Sequence, residues 1–196
     1  MRTLGILLGG AIALAACSTT PAPPPDLTNP MLAPGYLAQA ASSDMFEIQS
    51  GQLAQQMSQN PGVQQFAAMI IRDHTNSTQM LMSAAAAAHV AAPPPTMLPA
   101  QQALLDQLRS SGSGYAFDSA FKQIQIQAHQ SALALHQGYA QGGDVPALRA
   151  TAAQIVPVVQ NHLAMAQALM VTPPPPPPPP PPPMQAPSPG QRGERG

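Results

Sequence analysis

The stretch VQQFAAMIIRDHTNSTQML, Val63–Leu81, decides the fold. Phe66, Ile70, Asp73/His74, Ser77 and Leu81 recur every three or four positions, the period of one helix face and not the alternation of a strand. Asn60-Pro61-Gly62 breaks the chain ahead of it, and the alanine run Ala84–Ala88 extends it, so a helix is expected from Pro61 to Val90. Working outward, Phe46, Ser50, Leu53 and Met57 mark a first helix over Asp44–Gln59, with Ser42 or Ser43 as its cap. Phe117, Phe121, Ile124, Ala128 and Leu135 mark another over Tyr115–Gln141, ended by Gly142-Gly143. A last helix opens with Asp144 as N-cap and Pro146 in its first turn, and carries Ile155, Val158/Val159, His162, Ala166 and Leu169 on one face. Pro157 lies inside it and is expected to kink it or open a local bulge.

Pro93-Pro94-Pro95 marks the connection Ala92–Pro99, and a short helix is expected at Ala100–Arg109. No segment alternates with period two. The reading is all-α: an antiparallel four-helix bundle over residues 35–171, with a short extra helix between helices 2 and 3.

The flanks differ in kind. Arg2 and the apolar run Leu4–Leu14 are too short to span a bilayer and read as an export signal over residues 1–16. Leu14-Ala15-Ala16-Cys17, followed by Ser-Thr-Thr and prolines, matches the lipobox of bacterial lipoproteins. That resemblance implies a diacylated Cys17 at the new N-terminus, and Ser18 after it implies the outer membrane, facing the periplasm; the cell surface is the alternative. A single cysteine has no internal partner for a disulfide. Residues 17–34 read as a Pro-rich tether, and residues 172–196 as a disordered tail with eleven consecutive prolines. As polyproline II those eleven extend about 34 Å, a spacer or a ligand for an aromatic groove on an envelope or cell-wall partner.

Charge is scarce. Asp, Glu, Lys and Arg make up 8% of the chain, against about 25% in an average protein. With a formal net charge of −1 and no basic patch, nucleic acid is excluded as a partner. Each ionisable residue on an inward stripe therefore carries information. Helices 2, 3 and 4 each turn imidazoles inward, at His74, at His129 and His136, and at His162, and helix 1 adds Glu47. Counted from the turns, Glu47, His74 and His129 stand level, while His162 is displaced by roughly 8 Å. A layer of Glu47, His74 and His129, with His162 or Asp73 nearby, offers the donors for a divalent metal, Zn, Fe or Cu; the alternative is a set of buried polar groups bonded to one another and fixing register. His136 and Asp118 are secondary candidates. The Glu-x-x-His pair of di-iron bundles is absent, which disfavours a ferroxidase. Met80-x-Met82 and His162-x-x-Met165 are the local candidates for soft copper ligation, and His89 suits the end of its helix. No nucleophile triad, phosphate loop or cysteine pair is present, so a non-enzymatic binding or structural role is expected, with metal binding or redox stress defence as the alternative. Titration of the inward imidazoles in an acidified envelope is a third reading.

The segments carrying these residues, Phe46-Glu47-Ile48-Gln49-Ser50-Gly51-Gln52-Leu53-Ala54, Ile70-Ile71-Arg72-Asp73-His74-Thr75, Phe117-Asp118, Gln127-Ala128-His129-Gln130 and Asn161-His162-Leu163, resemble the domain-of-unknown-function family 4142. The resemblance spans about residues 35–171. It implies a ferritin-like helical bundle, often exported and assigned to the outer membrane, without an established activity. The family's recurrent positions fall on Glu47, Asp73, His74, Asp118, His129 and His162.

Overall fold

A computed structural model describes residues 24–173; the expected signal, Cys17, most of the tether and the polyproline run lie outside them. Five helices follow in order: α1 Ala33–Met57, α2 Pro61–Ala87, α3 Pro99–Ser110, α4 Tyr115–Gly142 and α5 Pro146–Ala168. Proline occupies one of the first two positions of α1, α2, α3 and α5, where its missing N–H costs no hydrogen bond and its φ is already helical. Asn60 caps α2, its Oδ1 accepting from the amides of Gly62 at 2.9 Å and Val63 at 3.4 Å. Past the other end of α2, His89 takes a left-handed φ of 56°, and the Val90 amide donates back to Ala85 O at 2.9 Å. That closure stops the helix three residues before Val90 and gives His89 its structural place.

Helices α1 and α2 form one antiparallel hairpin and α4 and α5 the other. α1 packs on α4 and α2 on α5, closing a four-helix square. The two hairpins are tied at both ends. The Asp144 amide donates to Met31 O at 3.2 Å at one end, and Asn60 Nδ2 donates to Met170 O at 2.9 Å at the other. α3 lies along α1 and α4, on the long connection that returns the chain between α2 and α4. No strand occurs among the described residues, and none of their helices is long and apolar enough to cross a membrane.

The first helix corrects the sequence reading most. It begins at Ala33, and Ser42, Ser43 and Asp44 are buried in its interior, where no cap is needed. The Ser42 hydroxyl accepts from the Leu98 amide at 2.8 Å and donates to Gln101 Oε1 at 3.2 Å, fastening the start of α3. The end of the expected tether is folded too: Gln39 Nε2 donates to Thr28 O at 3.2 Å, and Asn29 lies so close to Gly35 that a Cβ there would strike its carbonyl. At the head of α5 the cap position belongs to Val145; Asp144 instead accepts from the Tyr139 hydroxyl at 2.9 Å. α5 passes through Pro157 as continuous α-helix. Small residues bring α1 and α2 together: a Cβ on Gly51 would lie 2.8 Å from the Ile71 side chain.

The interior is two apolar clusters. One gathers Phe46, Phe66, Ile70, Phe117, Phe121 and their neighbours; the other gathers Tyr36, Leu37, Leu81, Tyr139, Leu148 and Ile155. Tyr36 and Tyr139 stack at 3.8 Å between centroids, and the Tyr36 hydroxyl donates to His136 Nδ1 at 2.9 Å. Burial pushes the His136 imidazole down to about 4. Between the unfolded value near 6.5 and about 4, the unfolded chain takes up a proton that the folded one refuses, so acidification removes roughly 3 kcal/mol of stability. His136→Gln lacks that titration. Its stability deficit against the wild type, measured by urea unfolding, is expected to shrink by roughly 3 kcal/mol between pH 7 and pH 4; a deficit independent of pH contradicts this.

Candidate metal centre

Between the two clusters lies a polar layer. His74 on α2, His129 on α4 and His162 on α5 are 3%, 0% and 1% exposed, and one nitrogen from each lies within 4.8 Å of the other two. Their ring centroids form a near-equilateral triangle, 5.6 Å from His74 to His129 and 5.4 Å from His162 to each. Phe66 floors the triangle, 6.1 Å from His129 and 6.4 Å from His162.

Helix ends explain how these residues meet. Asp44 and His74 each stand thirteen residues from the ends of their helices, at Met57 and Pro61, so they are level. His129 stands thirteen residues before Gly142 and His162 sixteen after Pro146, an offset of three residues, about 4.5 Å. Side chains lean towards the N-terminus of their own helix, which brings His129 and His162 on antiparallel neighbours towards each other. The expected displacement of His162 is thereby corrected: residues 58–60 and 143–145 lie outside the helices and add no helical rise.

Each imidazole is held by one nitrogen. His74 Nδ1 donates to Asp44 Oδ1 at 2.8 Å, and Asp44 Oδ2 accepts from the Thr78 hydroxyl at 3.0 Å. His129 Nδ1 donates to Gln125 O at 2.9 Å, and His162 Nε2 donates to Asp73 Oδ2 at 3.0 Å. The remaining nitrogens, His74 Nε2, His129 Nε2 and His162 Nδ1, are buried without any hydrogen-bond partner, as are both oxygens of Glu47. Buried polar atoms are nearly always paired. Three orphaned imidazole nitrogens in one layer, each with its opposite nitrogen on a carboxylate or carbonyl, match the arrangement in which metal-binding histidines are oriented.

Electrostatics favour the same donors. Burial, with the charge on His74, pushes His129 down to about 3, so it is a neutral ligand. Burial also lowers His162, against the opposing pull of Asp73. His74 is raised: burial opposes its charge, but the hydrogen bond and charge of Asp44 outweigh that. Its extra proton then sits on Nε2, the atom a cation would displace. Burial pushes the Glu47 carboxyl up to about 7, against the pull of His74 and the Gln125 amide. Glu47 Oε1 lies 3.6 Å from His129 Nδ1, a contact with a neutral ring and not an ion pair.

Of the residues singled out from sequence, His74, His129 and His162 converge. Glu47 stands at the edge of the set and Asp73 behind His162. Asp118, eleven residues before His129, and His136, seven beyond it, are buried elsewhere on α4 and do not join them. Met165 is 40% exposed while His162 is buried, so His162-x-x-Met165 offers no joint site; Met80 lines a surface cleft and Met82 packs on the apolar core. The sequence hides Asp44 because the small residues before it make it read as the start of α1, whereas the helix begins at Ala33. Counting residues from helix ends rather than from the turn would have placed it beside His74.

Residues 18–169 match the model of a domain of unknown function, DUF4142. The chain belongs to that family. Among solved structures it is similar to CopM in the Cu(II)-bound form, at 16% identity and a TM-score of 0.58, over 70% of this chain and 94% of that one. The likeness establishes a shared helical-bundle fold. No curated protein matches the sequence.

A buried carboxyl raised to about 7 makes the metal-free centre sensitive to pH. Between 4.5 and about 7 the folded protein keeps a proton that the unfolded chain has released, so stability falls as pH rises, by roughly 3 kcal/mol from Glu47. Glu47→Gln is uncharged throughout. In chelator-treated protein its stability relative to wild type is expected to climb by roughly 3 kcal/mol from pH 4.5 to pH 8; a constant difference contradicts the burial of an ionisable Glu47.

Proposed function

We propose that the protein is a lipid-anchored envelope protein whose bundle binds a divalent transition-metal ion through His74, His129 and His162. The observation that carries the reading is the set of three buried, unpartnered imidazole nitrogens within one layer. Imidazole donors suit zinc and copper better than the hard, carboxylate-seeking ions. Four-coordinate zinc holds its nitrogens about 3.4 Å apart, and one nitrogen from each of the three rings already lies within 4.8 Å of the other two. Asp44, the Gln125 carbonyl and Asp73 keep the three rings aimed, and Glu47 is a carboxyl beside them that a bound cation would favour in its ionised form. Similarity to a bundle described in a Cu(II)-bound form supports the copper reading. When bound, the ion would supply Lewis acidity or, as copper, a one-electron couple.

The location rests on the sequence Leu14-Ala15-Ala16-Cys17-Ser18, which directs an acylated Cys17 to the outer membrane with the bundle in the periplasm. The polyproline run then serves as a spacer or a docking segment for an envelope or cell-wall partner. The role is binding, with ion storage or buffering as its simplest form.

Elemental analysis of protein purified after equilibration with Cu(II) or Zn(II) tests the reading. One equivalent is expected, with Cu(II) held more tightly than Zn(II). His74→Ala and His129→Ala are each expected to lower affinity by about 100-fold or more, and Asp44→Asn by about 10–100-fold through loss of ring orientation. Substoichiometric metal that the substitutions leave unchanged overturns it.

A further inference from the structure

An ion bound at the three imidazoles has to cross a wall of protein, because the rings are 0–3% exposed and Glu47 is fully buried. A cavity of about 540 Å³ between α1, α3 and α4 is lined by Phe46, Leu98, Leu104 and Ala128 but by no residue that holds an imidazole through its side chain. A second hollow, at Gln49, Gln52 and Arg109, reaches none either. A smaller cleft of about 140 Å³ opens between α2 and α5, lined by Asp73, Asn76, Ser77, Met80, Ile155 and Val158. Asp73 belongs to both this cleft and the centre. Its side chain is 22% exposed, and its Oδ2 lies 3.0 Å from His162 Nε2.

We propose that this cleft is the port through which the cation passes between solvent and the imidazoles, with Asp73 as the carboxylate that receives it. The proposal rests on the metal-centre reading and adds its route. Three further observations support it. Ser77 is 6% exposed and lines the cleft, and its hydroxyl oxygen is buried without a hydrogen-bond partner, a neutral oxygen donor one turn beyond His74. The Met80 thioether adds a soft donor to the same wall, already oriented by the Asn76 amide at 3.4 Å. On the opposite wall, Pro157 lies between Ile155 and Val158. It has no N–H to offer the preceding turn, so α5 lacks one backbone hydrogen bond beside the cleft and yields there more easily than elsewhere. Carboxylate, hydroxyl and thioether together give a partly dehydrated cation replacement ligands on its way inward. Arg72 holds Asp73 from outside through Nε at 2.7 Å and NH2 at 3.1 Å, so an arriving cation takes over a carboxylate already paired with positive charge.

A plug separates route from site. Val158 is 41% exposed, lines the cleft and carries no donor atom on its side chain, so Val158→Trp fills the cleft from its rim without removing a donor; Val158→Phe is the milder plug should the larger one perturb folding. Ala100→Trp in the large cavity is the control. Zinc uptake is followed by stopped flow, and zinc release by chase with a strong chelator. Both plugs are expected to slow uptake and release together, Val158→Trp by about tenfold, with one equivalent bound and affinity unchanged; the control alters neither rate. Unchanged rates in the plugged variants, or slowing in the control, overturn the port. Wild-type protein that takes up no zinc overturns the metal-centre reading itself, a distinct result.

Discussion

A buried imidazole has two nitrogens to satisfy, and in this protein the fold satisfies one of each. The acceptors are fixed by the helices. Asp44 faces His74 across the first hairpin, the Gln125 carbonyl lies one turn before His129, and Asp73 faces His162 across the α2–α5 contact. Once these hydrogen bonds are in place, each ring has a single orientation and a single free nitrogen. His74 and His129 turn Nε2 to the interior and His162 turns Nδ1. The centre is a consequence of helix register, with no loop required to build it.

The layer is costly to the metal-free protein. Orphaned buried donors and acceptors each cost about 1–3 kcal/mol, and burial disfavours the charged form of Glu47 while Asp44 holds His74 towards its protonated form. The apolar clusters on either side, with their buried Phe and Tyr side chains, offset that cost. A cation bound to the free nitrogens relieves several of these penalties at once. The low overall charge of the chain fits this economy: carboxylates are few, and three of them, Asp44, Glu47 and Asp73, are grouped about the histidines.

Much of this was legible in the sequence. Helical periodicity with a scarcity of breakers gave the four long helices and the short one, because Phe, Ile and Leu recur on narrow stripes and prolines and glycines fall between them. The same stripes exposed His74, His129 and His162, since a histidine among apolar residues at helical spacing can only face inward. Two things were hidden. The first eleven residues of α1 are mostly Ala, Gly, Gln and Ser, with Tyr36 and Leu37 the only large apolar side chains, and their burial depends on the α3 connection and on α4, not on any local pattern. The height of His162 was hidden by the turn at 143–145, where a few non-helical residues shift the register of everything after them. Asp44 was lost to the same two causes.

The central claim is that three particular nitrogens bind the ion, and long-range proton–nitrogen correlation NMR of the histidine rings reads them one by one. On adding one equivalent of Zn(II), the account predicts that Nε2 of His74, Nε2 of His129 and Nδ1 of His162 shift to metal-bound positions. Nδ1 of His74 and His129 and Nε2 of His162 keep their protons, and His136 is unmoved. Zinc-induced shifts at the opposite nitrogens, at His136 or His89 alone, or at none of the rings, would contradict it.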